Sequence, residues 1–125
     1  MARDAITSAK LPPSPAPLSP AVRGEGSIYV SGQIATDPRT GKMIEGNVPA
    51  QTEQVFANLA IVLEAAGKTF ADVIRAGVYL TDMADFTAMN EVYARHFSAP
   101  YPARTCIAVA ALPLGASVEI DLVVR

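Results

Sequence analysis

DVIRAGVYLTDMADFTAMNEVYARHFSAPYPARTCIAVAA, residues 72–111, is the stretch whose reading decides the fold. Its first part, 72–81, carries Val73, Ile74, Val78, Tyr79 and Leu80, the β-branched and aromatic mixture of a strand. The period then changes. Over 83–97, Phe86, Met89, Tyr93 and Phe97 recur at steps of three and four and so line one face of a helix. Pro100 and Pro102 stop it, because proline has no N–H to donate to a helix. Residues 103–111 return to a strand. A strand, a helix and a strand in this order fit a right-handed βαβ crossover, which lays the two strands parallel.

Downstream, Leu112-Pro113-Leu114-Gly115 separates that unit from a further strand at 117–125. There Val118, Ile120, Leu122 and Val124 share one face, and Glu119 and Asp121 lie opposite them. Upstream, residues 48–66 predict a helix with Asn47 as its cap, Pro49 in its first turn and Gly67 where it stops. Its apolar stripe is Val55, Leu59, Val62 and Ala66, flanked by Phe56 and Leu63; Gln51, Glu53, Asn58 and Glu64 fall on the wet side. Residues 27–35 form another strand, with Ile28, Val30 and Ile34 on one side and Tyr29, Ser31 and Gln33 on the other. Gly32 interrupts that alternation, the mark of a bulge or of a close approach by a ligand or backbone. The stretch Asp37–Lys42 is turn chemistry. Pro12, Pro13, Pro15, Pro17 and Pro20, half of the chain's 10 prolines, make residues 1–17 an extended segment along a surface or edge. The sum is an α+β fold, a mixed sheet with two helices on one face, in a single domain over 1–125.

Composition narrows the function classes. At 125 residues with 50% hydrophobic and 18% charged residues, the core can be substantial and the surface thinly charged, which favours burial against another chain. A net charge of −2 without a Lys/Arg run gives no electrostatic footprint for nucleic acid and argues against RNA cleavage. Cys106 is the single cysteine and His96 the single histidine, so neither an internal disulfide nor a Cys- or His-based metal cluster can form. The first ten residues hold no apolar run of the signal-peptide kind, and no stretch approaches the roughly 18 apolar residues of a membrane span. A cytoplasmic location is the expectation.

Pattern alone yields no function. Glu119 and Asp121 read as a solvated sheet face, Arg104 as a surface or ion-pairing arginine, and Cys106 as a small buried hydrophobe. Asn90 reads as an exposed residue in an amphipathic helix, and His96 as a charge suited to a helix C-terminus.

Five segments change those odds. Tyr29-Val30-Ser31-Gly32-Gln33-Ile34, Leu63-Glu64-Ala65-Ala66-Gly67, Asp85-Phe86-Thr87-Ala88-Met89-Asn90-Glu91-Val92-Tyr93, Tyr101-Pro102-Ala103-Arg104-Thr105-Cys106 and Val118-Glu119-Ile120 occur in this order. Together they closely resemble the reactive intermediate deaminase (Rid, or YjgF) family, from about Leu18 to Arg125. The resemblance implies a chorismate-mutase-like subunit, a homotrimer with sites in the clefts between subunits, and hydrolysis of 2-imino acids to 2-keto acids and ammonia. It implies no metal and no cofactor. Arg104 falls on the family's carboxylate-binding arginine, and a planar guanidinium suits bidentate recognition of a carboxylate. Glu119 falls on the glutamate implied to place or activate water and move protons. Cys106, Ser31, Gly32 and Asn90 match further pocket positions. Leu18 departs, standing where the best-known deaminases of the family carry tyrosine, and so leaves substrate choice open. A larger enamine as substrate, or a non-catalytic ligand-binding or chaperone-like trimer, are the alternatives.

Simple geometry points the same way. Arg104 and Glu119 each begin a strand; if those strands run oppositely, eight residues set them roughly 25 Å apart in one chain. A second subunit would then have to bring one of them in. An apolar cleft would raise the pKa of Glu119, and a nearby Arg104 would lower it.

Overall fold

In the computed structural model, which describes residues 3–125, the backbone follows the order β1 (Asp4–Ile6), β2 (Ala21–Gly24), β3 (Ser27–Gln33), α1 (Val48–Ala65), β4 (Val73–Leu80), α2 (Phe86–His96), β5 (Ala103–Ala108) and β6 (Val118–Val124). The six strands make one mixed sheet in the order β1-β2-β3-β6-β4-β5. β4 and β5 pair in parallel across α2, as the βαβ reading requires, and every other pairing is antiparallel. β1 and β2 are absent from the sequence reading. At three and four residues they are too short to display an alternation, and β1 lies within the segment read only as extended. Pro12, Pro13, Pro15 and Pro17 are exposed.

Both helices cover one face. Ala76, Val78 and Leu80 of β4 and Val118, Ile120, Leu122 and Val124 of β6 point into the core with Val55, Phe56, Leu59, Val62 and Leu63 of α1 and Met89 and Val92 of α2. α1 begins where Asn47 accepts from the Ala50 N–H and ends before Gly67, which takes a φ of +72° and donates to Glu64. α2 starts three residues later than expected: Asp82 caps a short 3-10 turn at Met83–Asp85 through the Ala84 N–H, and the α-helix proper begins at Phe86.

Two residues placed on the wet side of α1 are buried. Asn58 is fully enclosed and donates to the carbonyls of Ile34 (3.2 Å) and Thr36 (2.8 Å) while accepting from Gln54. Gln51 accepts from the Ser117 N–H at 2.9 Å and donates to the Gly46 carbonyl. Helical periodicity classes both as outward-facing because they are polar. They are inside because the irregular backbone after β3 and before β6 has donors and acceptors that no strand satisfies.

Candidate active site

The expected site residues fall into two groups on opposite faces of the sheet. The first is built around β5. Its register sets Arg104 against Ala76 and Cys106 against Val78, so both side chains take the helix-covered side. β5 is the end strand, so this side is only partly closed, and α2 walls it with Phe86, Asn90 and Tyr93, one helix face at i, i+4 and i+7. Arg104 Nη1 donates to Asn90 Oδ1 at 2.7 Å. The guanidinium carbon lies 4.7 Å from the centre of the Tyr93 ring and 5.6 Å from that of Phe86. Such cation–π contacts fix the plane of the fork while leaving most of its five donors for an anion. A groove of about 330 Å³ opens there, lined by Asn90, Tyr93, Tyr101, Pro102 and Arg104. Burial pushes the Cys106 thiol up and Arg104 only partly offsets it, so the sulfur is held as a neutral thiol. That suits packing and polar contact and not nucleophilic attack.

The second group lies on the face without helices. Here β3 bulges between Val30 and Gln33. Gly32, inside the bulge, is where the Glu119 carboxyl sits: a Cβ at Gly32 would collide with Glu119 Oε2. The close approach signalled by this glycine is therefore made by a carboxylate of the same chain. Ser31 ties down the amino-terminal segment, its hydroxyl donating to the Ser19 carbonyl at 2.7 Å and its N–H to Pro20 at 2.9 Å. Those bonds place Leu18, 54% exposed, on an open groove of about 650 Å³ shared with Arg3, Ser19, Tyr29 and Ser31. Burial pushes the Glu119 carboxyl above the usual glutamate range, and the charge of Asp121 pushes it the same way. Asp121 in turn accepts from the Tyr79 hydroxyl at 3.0 Å.

The two groups do not meet within one chain, but not for the reason the sequence suggests. Glu119 is level with Tyr79, and Arg104 is level with Ala76, so three residues separate them along the strands and one strand lies between. Their Cα atoms are thus roughly 14 Å apart and not about 25 Å. The longer figure counts from strand starts and ignores that β5 and β6 are not paired end to end. What separates the side chains is the sheet itself. Arg104 accordingly has no part in shifting Glu119.

Residues 8–125 match the family model described as endoribonuclease L-PSP. The chain belongs to the Rid (YjgF) family. Among its relatives, protein DfrA of Myxococcus xanthus is 46% identical over 125 residues, covering 98% of this chain and 95% of that one. The 2-iminobutanoate/2-iminopropanoate deaminase of Capra hircus is 41% identical over 123 residues, covering 98% and 90%. The crystal structure of RidA from the Antarctic bacterium Psychrobacter superposes with a TM-score of 0.92 at 43% identity, over 98% of this chain and 99% of that one.

Two features of this Rid-family site leave no functional mark in the sequence reading. Phe86 and Tyr93, read only as part of one face of a helix, form the aromatic bed of Arg104; their spacing with Asn90 was the available signal. Tyr79 bonded to Asp121 had none, since the register of β4 against β6 is invisible in sequence. His96 closes α2 against α1, its ring stacked 4.2 Å from Phe56 and its Nε2 2.8 Å from Glu53 Oε1. This is a role in helix packing, outside both groups.

Proposed function

We propose that the protein hydrolyses 2-imino acids such as 2-iminopropanoate and 2-iminobutanoate to the 2-keto acid and ammonia, as a cytoplasmic homotrimer with sites between subunits. The observation that carries this reading is the division of the site into an anchoring half and a proton-transfer half on opposite faces of one sheet. Each half lacks what the other holds. Relatives at about 40% identity are named as deaminases of this kind.

Arg104, oriented by Asn90 and its aromatic bed, binds the substrate carboxylate, and Cys106 lines the pocket beside it. Glu119 of a neighbouring subunit faces the imine with Ser31, Gly32 and Leu18 around it. Burial raises the affinity of the Glu119 carboxyl for a proton, which suits it to donate to the imine nitrogen and so make the carbon more electrophilic. Water adds to that carbon, the resulting carboxylate takes up a proton, and the carbinolamine collapses to keto acid and ammonia. Anchoring and proton transfer suffice for this bond, so no metal or cofactor enters. Leu18 gives the pocket an apolar wall, which favours the unsubstituted or alkyl side chains of small imino acids and also admits a larger enamine.

The test generates 2-iminopropanoate in situ and follows keto-acid formation with and without the protein. Acceleration that Arg104→Ala abolishes supports the reading. No acceleration with 2-iminopropanoate or 2-iminobutanoate overturns it and leaves a larger enamine, or a binding role without catalysis, to be tried.

A further inference from the structure

Glu119 and Asp121 stand on alternate residues of β6, so they share the open face about 6.8 Å apart at Cα. Their side chains lean in opposite directions. Glu119 lies over the bare backbone of Gly32 on β3, while Asp121 lies over Gly77 on β4, where a Cβ would collide with Asp121 Oδ1 and come within 2.9 Å of the Tyr79 hydroxyl. Two glycines on the flanking strands thus seat two carboxyl groups, one each. Only one is supplied with a donor: Tyr79 donates to Asp121, whereas no hydrogen bond reaches the Glu119 carboxyl among the described residues.

We propose that Asp121, clamped by Tyr79 over Gly77, is a positioning residue that keeps the proton of this carboxyl pair on Glu119. A carboxylate at Asp121 on the same half-buried face disfavours a second charge on Glu119, and Tyr79 gives its hydrogen bond to Asp121 and none to Glu119. Tyr79 therefore holds the Asp121 carboxyl in its seat over Gly77. The direction in which burial and Asp121 move Glu119 agrees with this assignment. The other ionisable groups on this face are Tyr29 on β3, across from Val123, Arg3 at the groove beside Tyr29 and Ser31, and Arg75 on β4, which is turned to Thr105 at 3.0 Å; Ala103, Thr105 and Ile107 of β5 add no charge, and in the proposed assembly Arg104 of the neighbouring subunit opposes Asp121 at Glu119. Glycine at 77 is needed because any side chain there would displace the clamp. The inference rests on the proton-transfer role proposed for Glu119, and it gives that role its regulation: the acid form is maintained by a fixed neighbouring charge.

The experiment titrates the Glu119 carboxyl carbon by NMR in the intact protein and in Asp121→Asn, which keeps the size of the side chain and an oxygen for Tyr79. The midpoint is expected to fall by about half a unit to one unit in the variant. The upper limb of the kcat–pH profile should move to lower pH by the same amount, with KM unchanged. A midpoint that stays in place overturns the proposal. In Tyr79→Phe the charge remains but is released, and the Glu119 carbon should titrate in two steps as the proton is shared; a single unchanged step removes Tyr79 from the device. If the midpoint falls in Asp121→Asn while even the wild type leaves 2-iminopropanoate untouched, the deaminase reading fails and the coupling of the pair stands.

Discussion

The two faces of the sheet are made by the same strands, yet they are finished differently. On the helix side, Ala76, Val78, Leu80, Val118 and Ile120 have no exposed surface at all. On the other side Tyr29 is 51% and Ile107 46% exposed, and Glu119, Asp121 and Tyr79 are half-buried among them. One face is completed by the chain's own helices, and the other is left with apolar surface and a carboxyl, Glu119, whose pKa burial raises. Exposed apolar area of this kind, continuous with polar groups of shifted pKa, marks an interaction surface. Arg104 faces one side and Glu119 the other, so each chain carries two halves that its own sheet keeps apart.

Breaking the open face should have the largest effect. Ile107→Asp puts a charge on that face without touching Arg104 or Glu119; sedimentation should show monomers, and imine hydrolysis should fall to the uncatalysed rate. A variant that stays assembled and active would place the subunit contact elsewhere. Next comes the helix-side half: Arg104→Ala should lower kcat/KM by about a thousandfold, as expected for loss of a charge-assisted anchor. Arg104→Lys should recover only part of this, because an ammonium cannot reproduce the fork or its stacking on Tyr93 and Phe86. Steady-state kinetics on 2-iminopropanoate separate the three proteins.

The comparison sharpens at the loop that joins the two faces. Asn58→Leu would leave the carbonyls of Ile34 and Thr36 without their buried donor, at a cost of about 2 kcal/mol, read as a lower urea midpoint. The loop begins two residues after Gly32, so kcat should drop as well. The smallest effect belongs to Cys106→Ala. With its thiol held neutral, its loss should cost less than about tenfold in kcat/KM; complete inactivation would mean that the sulfur takes part in bond making.

Much of this was legible in the sequence because it is periodic. The βαβ unit at 72–111, the alternation of β6 and the caps of α1 each leave a mark on a single segment. The interrupted strand at Gly32 was legible too, although what approaches it was not. The features that escaped depend on pairs of segments. Asn58 and Gln51 are polar on an amphipathic helix, and only the irregular backbone beside them makes them interior. The Arg104–Glu119 separation needs the register of three strands, and the clamp on Asp121 needs Tyr79 directly across from Glu119. The five family segments supplied every candidate residue but Leu18, and not the fact that the sheet divides them.

The central claim is that a working site takes Arg104 from one subunit and Glu119 from another. Mixing Arg104→Ala with Glu119→Gln subunits, each inactive alone, tests it directly. In a closed ring of three, random mixing restores one intact site in every mixed trimer, so recovery should reach about one quarter of wild-type activity. Mixed trimers verified by mass that remain as inactive as their parents would contradict the account.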